Sequence, residues 1–322
     1  MPELIFKKKS LIRKKALVKK KSHWTRIKQN AELLLLFLPG GLLLFIFAYL
    51  PMFGVVIAFK DFRYDLGIWG SQWVGLKNFE FFFVSNHAWR ITRNTLLYES
   101  GYLILTTFSA LALAILLNEI GKKWLKVYQT PLFIPYFLSW VVVSYLTYAF
   151  LDHQLGFLNR ALDVFGIAQH KWYLEAKVWP YILNVVQLWK NIGFSTLVYF
   201  AGIVGINQEY YEAARMDGAS RWQMATRITI PMISSLIAVL IILSIGNIFR
   251  GDFGLHYFIP QNSGLTFSTT DIIDTYVYRA LIDLGDIGMS SAVGLFQSFV
   301  GLVLVVAANS VVRKINDENS LW

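Results

Sequence analysis

Six long apolar stretches, separated by polar segments of uneven length, set the plan of this 322-residue chain. They cover residues 33–59, 95–118, 127–151, 178–206, 228–249 and 287–312. Each exceeds the roughly 20 helical residues needed to cross a bilayer. Pro39 and Pro51 should kink the first, and Pro131 and Pro135 fall in the opening turns of the third. A further uncharged run, 253–270, contains Pro260, Gln261, Asn262 and Ser263, so it cannot form a lipid-facing helix. The pattern predicts an all-α integral-membrane protein with six transmembrane helices.

Composition agrees: 56% of residues are hydrophobic and 16% charged, where a soluble domain carries about a quarter charged. The net charge of +10 is spread unevenly, and its distribution argues against a nucleic-acid-binding reading. Residues 1–32 hold eleven Lys or Arg, in clusters such as Lys7-Lys8-Lys9 and Lys19-Lys20-Lys21. Segments 1–32, 118–127, 207–227 and 313–322 together carry 19 of the 30 basic residues, and the alternate segments 60–94, 152–177 and 251–286 carry nine. The positive-inside rule therefore places both termini in the cytosol. The plan is a basic cytosolic tail (1–32), a transmembrane domain (33–312) and a short cytosolic C-terminal tail (313–322). Cysteine is absent, which removes disulfides and thiolate metal sites, and the five histidines lack zinc-site spacing.

The polar segment between the fourth and fifth apolar stretches, 207–231, has the caps of two short helices. Asn207 suits an N-cap, with Glu209 and Glu212 toward the positive end of the helix dipole. Gly218 can end that helix in the left-handed conformation. Ser220 and Gln223 have capping-box spacing for the next, and Pro231 is tolerated near the start of the following helix.

Glu212-Ala213-Ala214, three residues, Gly218, nine residues, then Ile228-Thr229-Ile230-Pro231 resembles the EAA loop of ABC importer permeases, with Ile230 in a position usually Leu. The run Trp73-Val74-Gly75-Leu76-Lys77-Asn78-Phe79 and the segments Asp271–Arg279 and Ser291–Ser298 are similar to the polysaccharide branch of that family. The resemblance implies a type I importer permease fold with a cytosolic coupling helix, in the bacterial cytoplasmic membrane. It implies as partners a second permease, two cytosolic ATPase subunits and an extracytoplasmic solute-binding protein. It also implies an oligosaccharide substrate, acidic (alginate- or pectin-type) or else neutral. A secondary transporter is the main competing class, and it would have no use for an EAA-spaced cytosolic loop.

In that family the EAA helix docks in a cleft of the ATPase. Glu212 is then a polar contact, Ala213 and Ala214 allow close approach, and Arg215 and Asp217 pair within the loop or with the ATPase. Gly218 sets the angle between the two helices, and Ile228 and Pro231 fix the entry into span five. No Walker A pattern occurs in the chain, so ATP and Mg are expected on another subunit, with no cofactor, catalytic residue or metal site here. Polar residues within spans mark candidate substrate-path positions: Gln187, Trp189, Lys190 and Asn191 in span four, Asn247 and Arg250 in span five, Gln297 in span six. Gln187, Lys190 and Asn191 have one-face spacing. Lys190 could meet a uronate carboxylate, or could pair structurally with an acid such as Glu99. Trp189 could stack on a sugar ring or pack between helices.

Overall fold

The computed structural model describes residues 30–80 and 84–322, so nearly all of the basic tail expected over 1–32 lies outside the described residues. Among those described, helices dominate. The sheet is a two-residue hairpin pairing β1 (Lys60–Asp61) antiparallel with β2 (Gln72–Trp73). The chain divides into two units, residues 1–56 and 57–322.

The first unit is built on α1 (Ala31–Leu44), which buries none of its residues. Its exposed side chains are almost all apolar, the pattern of a helix whose surroundings are lipid or other protein. After Leu44 the backbone changes type, to a π turn at Phe45–Tyr49 and then a 3₁₀ segment, Leu50–Phe59. Pro51 lies just past that change; having no N–H, it cannot continue the regular ladder. The expected kink thus takes the form of irregular helix.

The second unit contains α2 (Asn86–Asn118), α3 (Lys122–Phe133), α4 (Trp140–Leu151), α5 (Phe157–Val164), α6 (Trp179–Val204), α7 (Gln208–Met216) and α8 (Arg221–Met224). After them come α9 (Ser234–Gly246), α10 (Phe253–Phe258), α11 (Ile273–Asp283) and α12 (Ile287–Ile315). The long helices α2 and α6 pack against each other, as do α9 and α12. Two clusters form the core along the α2–α6 pair. One gathers Tyr98, Tyr102, Trp179, Leu183, Leu255 and Ile272, and the other Ala110, Ala114, Tyr199, Ile203, Tyr211 and Met224.

Among the described residues, three segments can cross a membrane by length and composition: Ala31–Phe59, His87–Asn118 and Ile287–Ile315. Two bent helix pairs would raise the number to five. Helix α6, at 26 residues, is long enough but carries Gln187, Lys190 and Asn191 in its middle, and these polar groups lower its hydropathy.

The segment 127–151, expected as one span, is broken. Helix α3 gives way to a 3₁₀ turn at Ile134–Phe137, and the helices on either side meet at 102°. Pro135 cannot donate to the helical ladder, and Ser139 then caps α4 by accepting from the Val142 N–H at 3.3 Å. The backbone carbonyls freed by this break bear on the fate of Lys190, below. Toward the hairpin, Asn78 donates to the carbonyls of Ala58 and Lys60 at 3.0 and 2.9 Å, tying the aromatic run of 73–79 to the strand.

Candidate functional site

Between α6 and α9 the chain makes a compact double turn whose shape follows from its own sequence. Asn207 has extended backbone angles, and its side chain accepts from the Glu209 N–H at 3.1 Å, opening α7. The helix ends at Met216 with two reverse hydrogen bonds, Gly218 N–H to the Arg215 carbonyl (3.0 Å) and Ala219 N–H to the Ala214 carbonyl (2.9 Å). This is a Schellman closure, which needs a left-handed residue between them. Gly218 supplies it with φ +76°, and a side chain there would meet open space. The glycine is required by backbone conformation, not by crowding. Ser220 starts α8 at once, through a reciprocal box with Gln223: Ser220 N–H donates to Oε1 at 2.7 Å, and Oγ accepts from Gln223 N–H at 3.3 Å.

The double turn is anchored on one side and open on the other. Tyr211 is buried, its hydroxyl 2.9 Å from the Thr229 hydroxyl, and Met224 and Ala225 are buried beside it. Ala214, Ala219 and Ile228 pack against the same cluster. Glu212, Ala213, Arg215 and Asp217 are exposed, with Met216 at 89% and Trp222 at 77%. Arg221 reaches across to Glu119, just past the end of α2, in a 3.2 Å ion pair. After α8 a π turn, Ala225–Thr229, and the turn holding Pro231 lead into α9, with a bend of 63°. Among the ion pairs of the described residues none joins Arg215 to Asp217.

Higher along α2, α6 and α9 lies an open cavity of about 380 Å³. Its polar lining comes from Glu99, Thr106 and Thr107 on α2, Gln187, Asn191 and Ser195 on α6, and Ser244 and Asn247 at the end of α9. Asn191 Nδ2 donates to Gln187 Oε1 at 2.8 Å and Asn247 Nδ2 to the Leu243 carbonyl at 3.0 Å. The first bond leaves the Gln187 NH₂ and the Asn191 Oδ1 for other partners. Such a wall offers both donors and acceptors, the requirement for grasping a hydroxyl-rich ligand.

The sequence-predicted path residues divide. Gln187, Asn191 and Asn247 come together on this cavity. Lys190 does not line it, although spacing put it on one face with Gln187 and Asn191. Its Nζ donates to the Tyr136 carbonyl at 2.9 Å and lies 5.4 and 5.0 Å from the Tyr136 and Trp140 ring centres. The break between α3 and α4 exposes a carbonyl that the buried ammonium satisfies, and Gly193 one turn on lets the backbones touch: a Cβ there would fall on the Leu132 carbonyl. No ion pair joins Lys190 to Glu99 among the described residues. Trp189 lines a separate, apolar groove with Val143, Leu146, Phe150, Ile182 and Val185. Arg250 donates to the Ser298 hydroxyl at 2.9 Å, and Gln297 donates to the Phe249 carbonyl at 2.7 Å, both away from the cavity lining.

Two sets of residues were not anticipated. Glu99, Ser195 and Ser244 line the cavity; Ser195 continues the i, i+4 stripe of Gln187 and Asn191, and Ser244 precedes Asn247 by three, so helical spacing could have found them. At the end of the α2–α6 pair away from the double turn, Asp271 holds a second network: its carboxylate meets Arg279 at 2.6 Å and Arg90 at 3.6 Å. Arg279 also donates to the Asn262 side chain (3.1 Å), and Asn94 to the Asp271 carbonyl (3.0 Å). Beside it His256 is buried, Nδ1 2.9 Å from the Thr270 carbonyl and Nε2 3.1 Å from the Tyr102 hydroxyl. The carbonyl can only accept, so Nδ1 carries the proton and Nε2 accepts. Burial pushes this imidazole down to about 4. Asn94 and Asp271, and Tyr102 and His256, lie 177 and 154 positions apart, so spacing along the chain does not reveal these contacts.

Comparison with known proteins gives three results. The family described as "Binding-protein-dependent transport system inner membrane component" matches residues 88–317. From Bacillus subtilis, Protein LplB is 39% identical over 91% of this chain and 92% of its own. From the same organism, the polygalacturonan/rhamnogalacturonan transport system permease protein YteP is 37% identical over 93% of each. Among solved structures, the chain is similar, with TM-score 0.83 and 33% identity, to a chain of a bacterial ABC transporter involved in the import of the acidic polysaccharide alginate, covering 92% of this chain and 100% of that one. It matches equally, at TM-score 0.83, a chain of the alginate transporter in complex with an alginate pentasaccharide-bound periplasmic protein.

Proposed function

This chain belongs to the family of binding-protein-dependent transport system inner membrane components, and from that premise we propose that it is the permease subunit of an ATP-driven ABC importer of oligosaccharides. The observation that carries the reading is the double turn of α7 and α8. Its inner face is locked into the helix core, while Glu212, Ala213, Met216 and Trp222 are left exposed. A rigid element with an unpartnered outer face, joined directly to a membrane helix, is what a pushing subunit needs.

In this reading the chain crosses the membrane six times, with α6 as the polar span, and both termini and the α7–α8 turn are cytosolic. Two ATPase subunits hold ATP and Mg and grip the turn through Glu212, Ala213 and the Arg215–Asp217 edge. Gly218 holds the angle, and Ile228 and Pro231 pass the movement into α9. A second permease closes the open side of the cavity, and a solute-binding protein delivers substrate to the outer rim. When the ATPases close, the turns approach one another and the cavity opens outward; release of the nucleotide reverses this. An acidic oligosaccharide is supported by the similarity to YteP, of a polygalacturonan/rhamnogalacturonan transport system, and to a transporter involved in alginate import.

The test is substrate-stimulated ATP hydrolysis by the complex reconstituted in liposomes with its solute-binding protein. Stimulation by uronate-bearing oligosaccharides is expected. Uptake by this chain alone, without ATP, would refute the assignment.

A further inference from the structure

We propose that the pocket between α4 and α10 is a carbohydrate subsite, holding a sugar ring of the oligosaccharide across α10 from the polar cavity. The proposal rests on the oligosaccharide-permease reading and extends it to a second site. The pocket, of about 510 Å³, is lined by Tyr145 and Tyr148 of α4 and by Tyr257, Phe258, Gln261 and Asn262 of α10 and the turn after it. Aromatic rings beside amides suit a sugar, whose C–H faces stack on the rings while its hydroxyls bond the amides. Helix α10 is the partition between the two sites. Its His256 bonds to Tyr102, which lines the cavity, and the next residue, Tyr257, lines the pocket.

The turn after α10 carries the decisive observation. It closes as the double turn does at Gly218, with the Gln261 N–H on the Phe258 carbonyl (3.1 Å) and the Asn262 N–H on the Tyr257 carbonyl (2.9 Å). Such a closure needs a left-handed residue, usually glycine. Here Gln261 and Asn262 are both left-handed, at φ 57° and 45°. Two consecutive residues with side chains in that region are strained, and strain of this kind collects where side chains bind ligands. Both of these side chains line the pocket. Asn262 is also held in place: Arg279, itself fixed by Asp271 at 2.6 Å, donates to its Oδ1 at 3.1 Å. Arginine can only donate, so the Asn262 NH₂ group is left to meet a ligand hydroxyl. The rings are fixed too. Tyr257 stacks on Phe253 with ring centres 4.9 Å apart and meets Tyr278 edge-on at 5.3 Å, while Tyr145 is 72% exposed. An interfacial aromatic belt would account for the tyrosines, but not for two amides kept at a conformational cost.

The experiment uses the full complex in liposomes, with its solute-binding protein delivering a uronate disaccharide or longer chains of the same sugar. ATPase stimulation gives the half-saturating concentration of loaded binding protein for each. A chain long enough to pass α10 gains the pocket, and a disaccharide held in the cavity does not. Gln261→Gly removes the amide and gives the turn the residue it favours, so the unfolding temperature should hold or rise. With the longer chains its half-saturating concentration should rise about fivefold, the worth of one hydrogen bond, and with the disaccharide it should not move. Tyr145→Ala should act in the same way, and Tyr145→Phe, which keeps the ring, should restore the response. An unchanged response to the longer chains in both Gln261→Gly and Tyr145→Ala overturns the proposal and leaves the importer assignment standing. Equal loss at both lengths overturns it too, and makes the surface a docking face for the solute-binding protein. If no oligosaccharide stimulates the unaltered complex, the importer reading fails and the subsite falls with it.

Discussion

The two ends of the α2–α6 pair are built by opposite means. At the end proposed for coupling, the caps of the double turn join residues at most five positions apart, Asn207 to Glu209, Ala214 to Ala219 and Ser220 to Gln223, and Tyr211–Thr229 and Arg221–Glu119 anchor it from further along the chain. At the outer end, the determining bonds join Asn94 to Asp271, Thr95 to Ile273 and Tyr102 to His256, separated by 177, 178 and 154 positions. A local construction keeps its shape when the helices around it tilt, which suits a part that must be gripped and moved. A network that stitches α2 to α10 and α11 exists only while those elements stay packed. The coupling end is therefore a rigid handle, and the outer end a clasp whose strength depends on the whole assembly.

Acid should separate the two ends most strongly. His256 has a folded pKa near 4 against about 6.5 when unfolded. Because the folded value is the lower one, its contribution is fully present above pH 6.5 and is lost as pH falls from there toward 4. The loss is on the order of 3 kcal/mol by pH 4. Thermal unfolding of the detergent-solubilised chain should show this fall between pH 6.5 and 4, and His256→Gln should flatten it. The coupling turn has no histidine, so proteolytic protection of 207–231 should stay constant over the same range. Parallel loss at both ends would erase the distinction between handle and clasp.

The next largest effect belongs to Gly218→Val. A β-branched side chain at φ +76° costs about 2 kcal/mol, the upper figure for a left-handed L-residue. A roughly 30-fold fall in substrate-stimulated ATPase is expected, with membrane insertion and thermal unfolding of the outer end little changed. Equal damage to both ends would mean that the handle is not independent.

Replacing Gln187 by Leu removes hydrogen-bonding groups from the cavity without changing its packing much. Losing one or two ligand bonds at about 1 kcal/mol each should raise the half-saturating concentration of loaded binding protein by about tenfold. Lys190→Met makes the contrast on the same helix. It unties the Tyr136 carbonyl and should lower the unfolding temperature while leaving the half-saturating concentration alone. Smallest of all, Trp189→Phe, on the apolar groove, should keep stimulated ATPase within about twofold, since a ring still fills the site.

The same contrast explains what could be read from the chain. The double turn was legible because Asn207, Gly218, Ser220 and Gln223 each act within a turn or two, and helix caps are local chemistry. Gln187, Asn191 and Asn247 were legible as costly polar groups inside apolar segments. For Lys190 a cavity role and a structural role both stayed open, because its partner is a carbonyl freed by the break at Pro135, 55 positions earlier, and spacing on a single helix carries no record of a neighbour's break. The bend of 127–151 was half visible, since Pro131 and Pro135 were noted but a 102° turn needs Ser139 as the second cap. Asp271, Arg90, Arg279 and His256 were not legible as a group, because burial and not motif brings them together.

Membership of the coupling turn in an interface with an ATPase is the claim on which the rest depends, and the absence of cysteine makes it directly measurable. A single Met216→Cys, at a position 89% exposed in the chain alone, would be introduced into the assembled complex. Labelled with a maleimide that carries a benzophenone photocrosslinker, it should join this chain to the ATPase subunit on irradiation, and ATP binding should change the yield. A Met216→Cys complex that reacts freely with a water-soluble maleimide, yields no such cross-link and still hydrolyses ATP on substrate delivery would contradict the account.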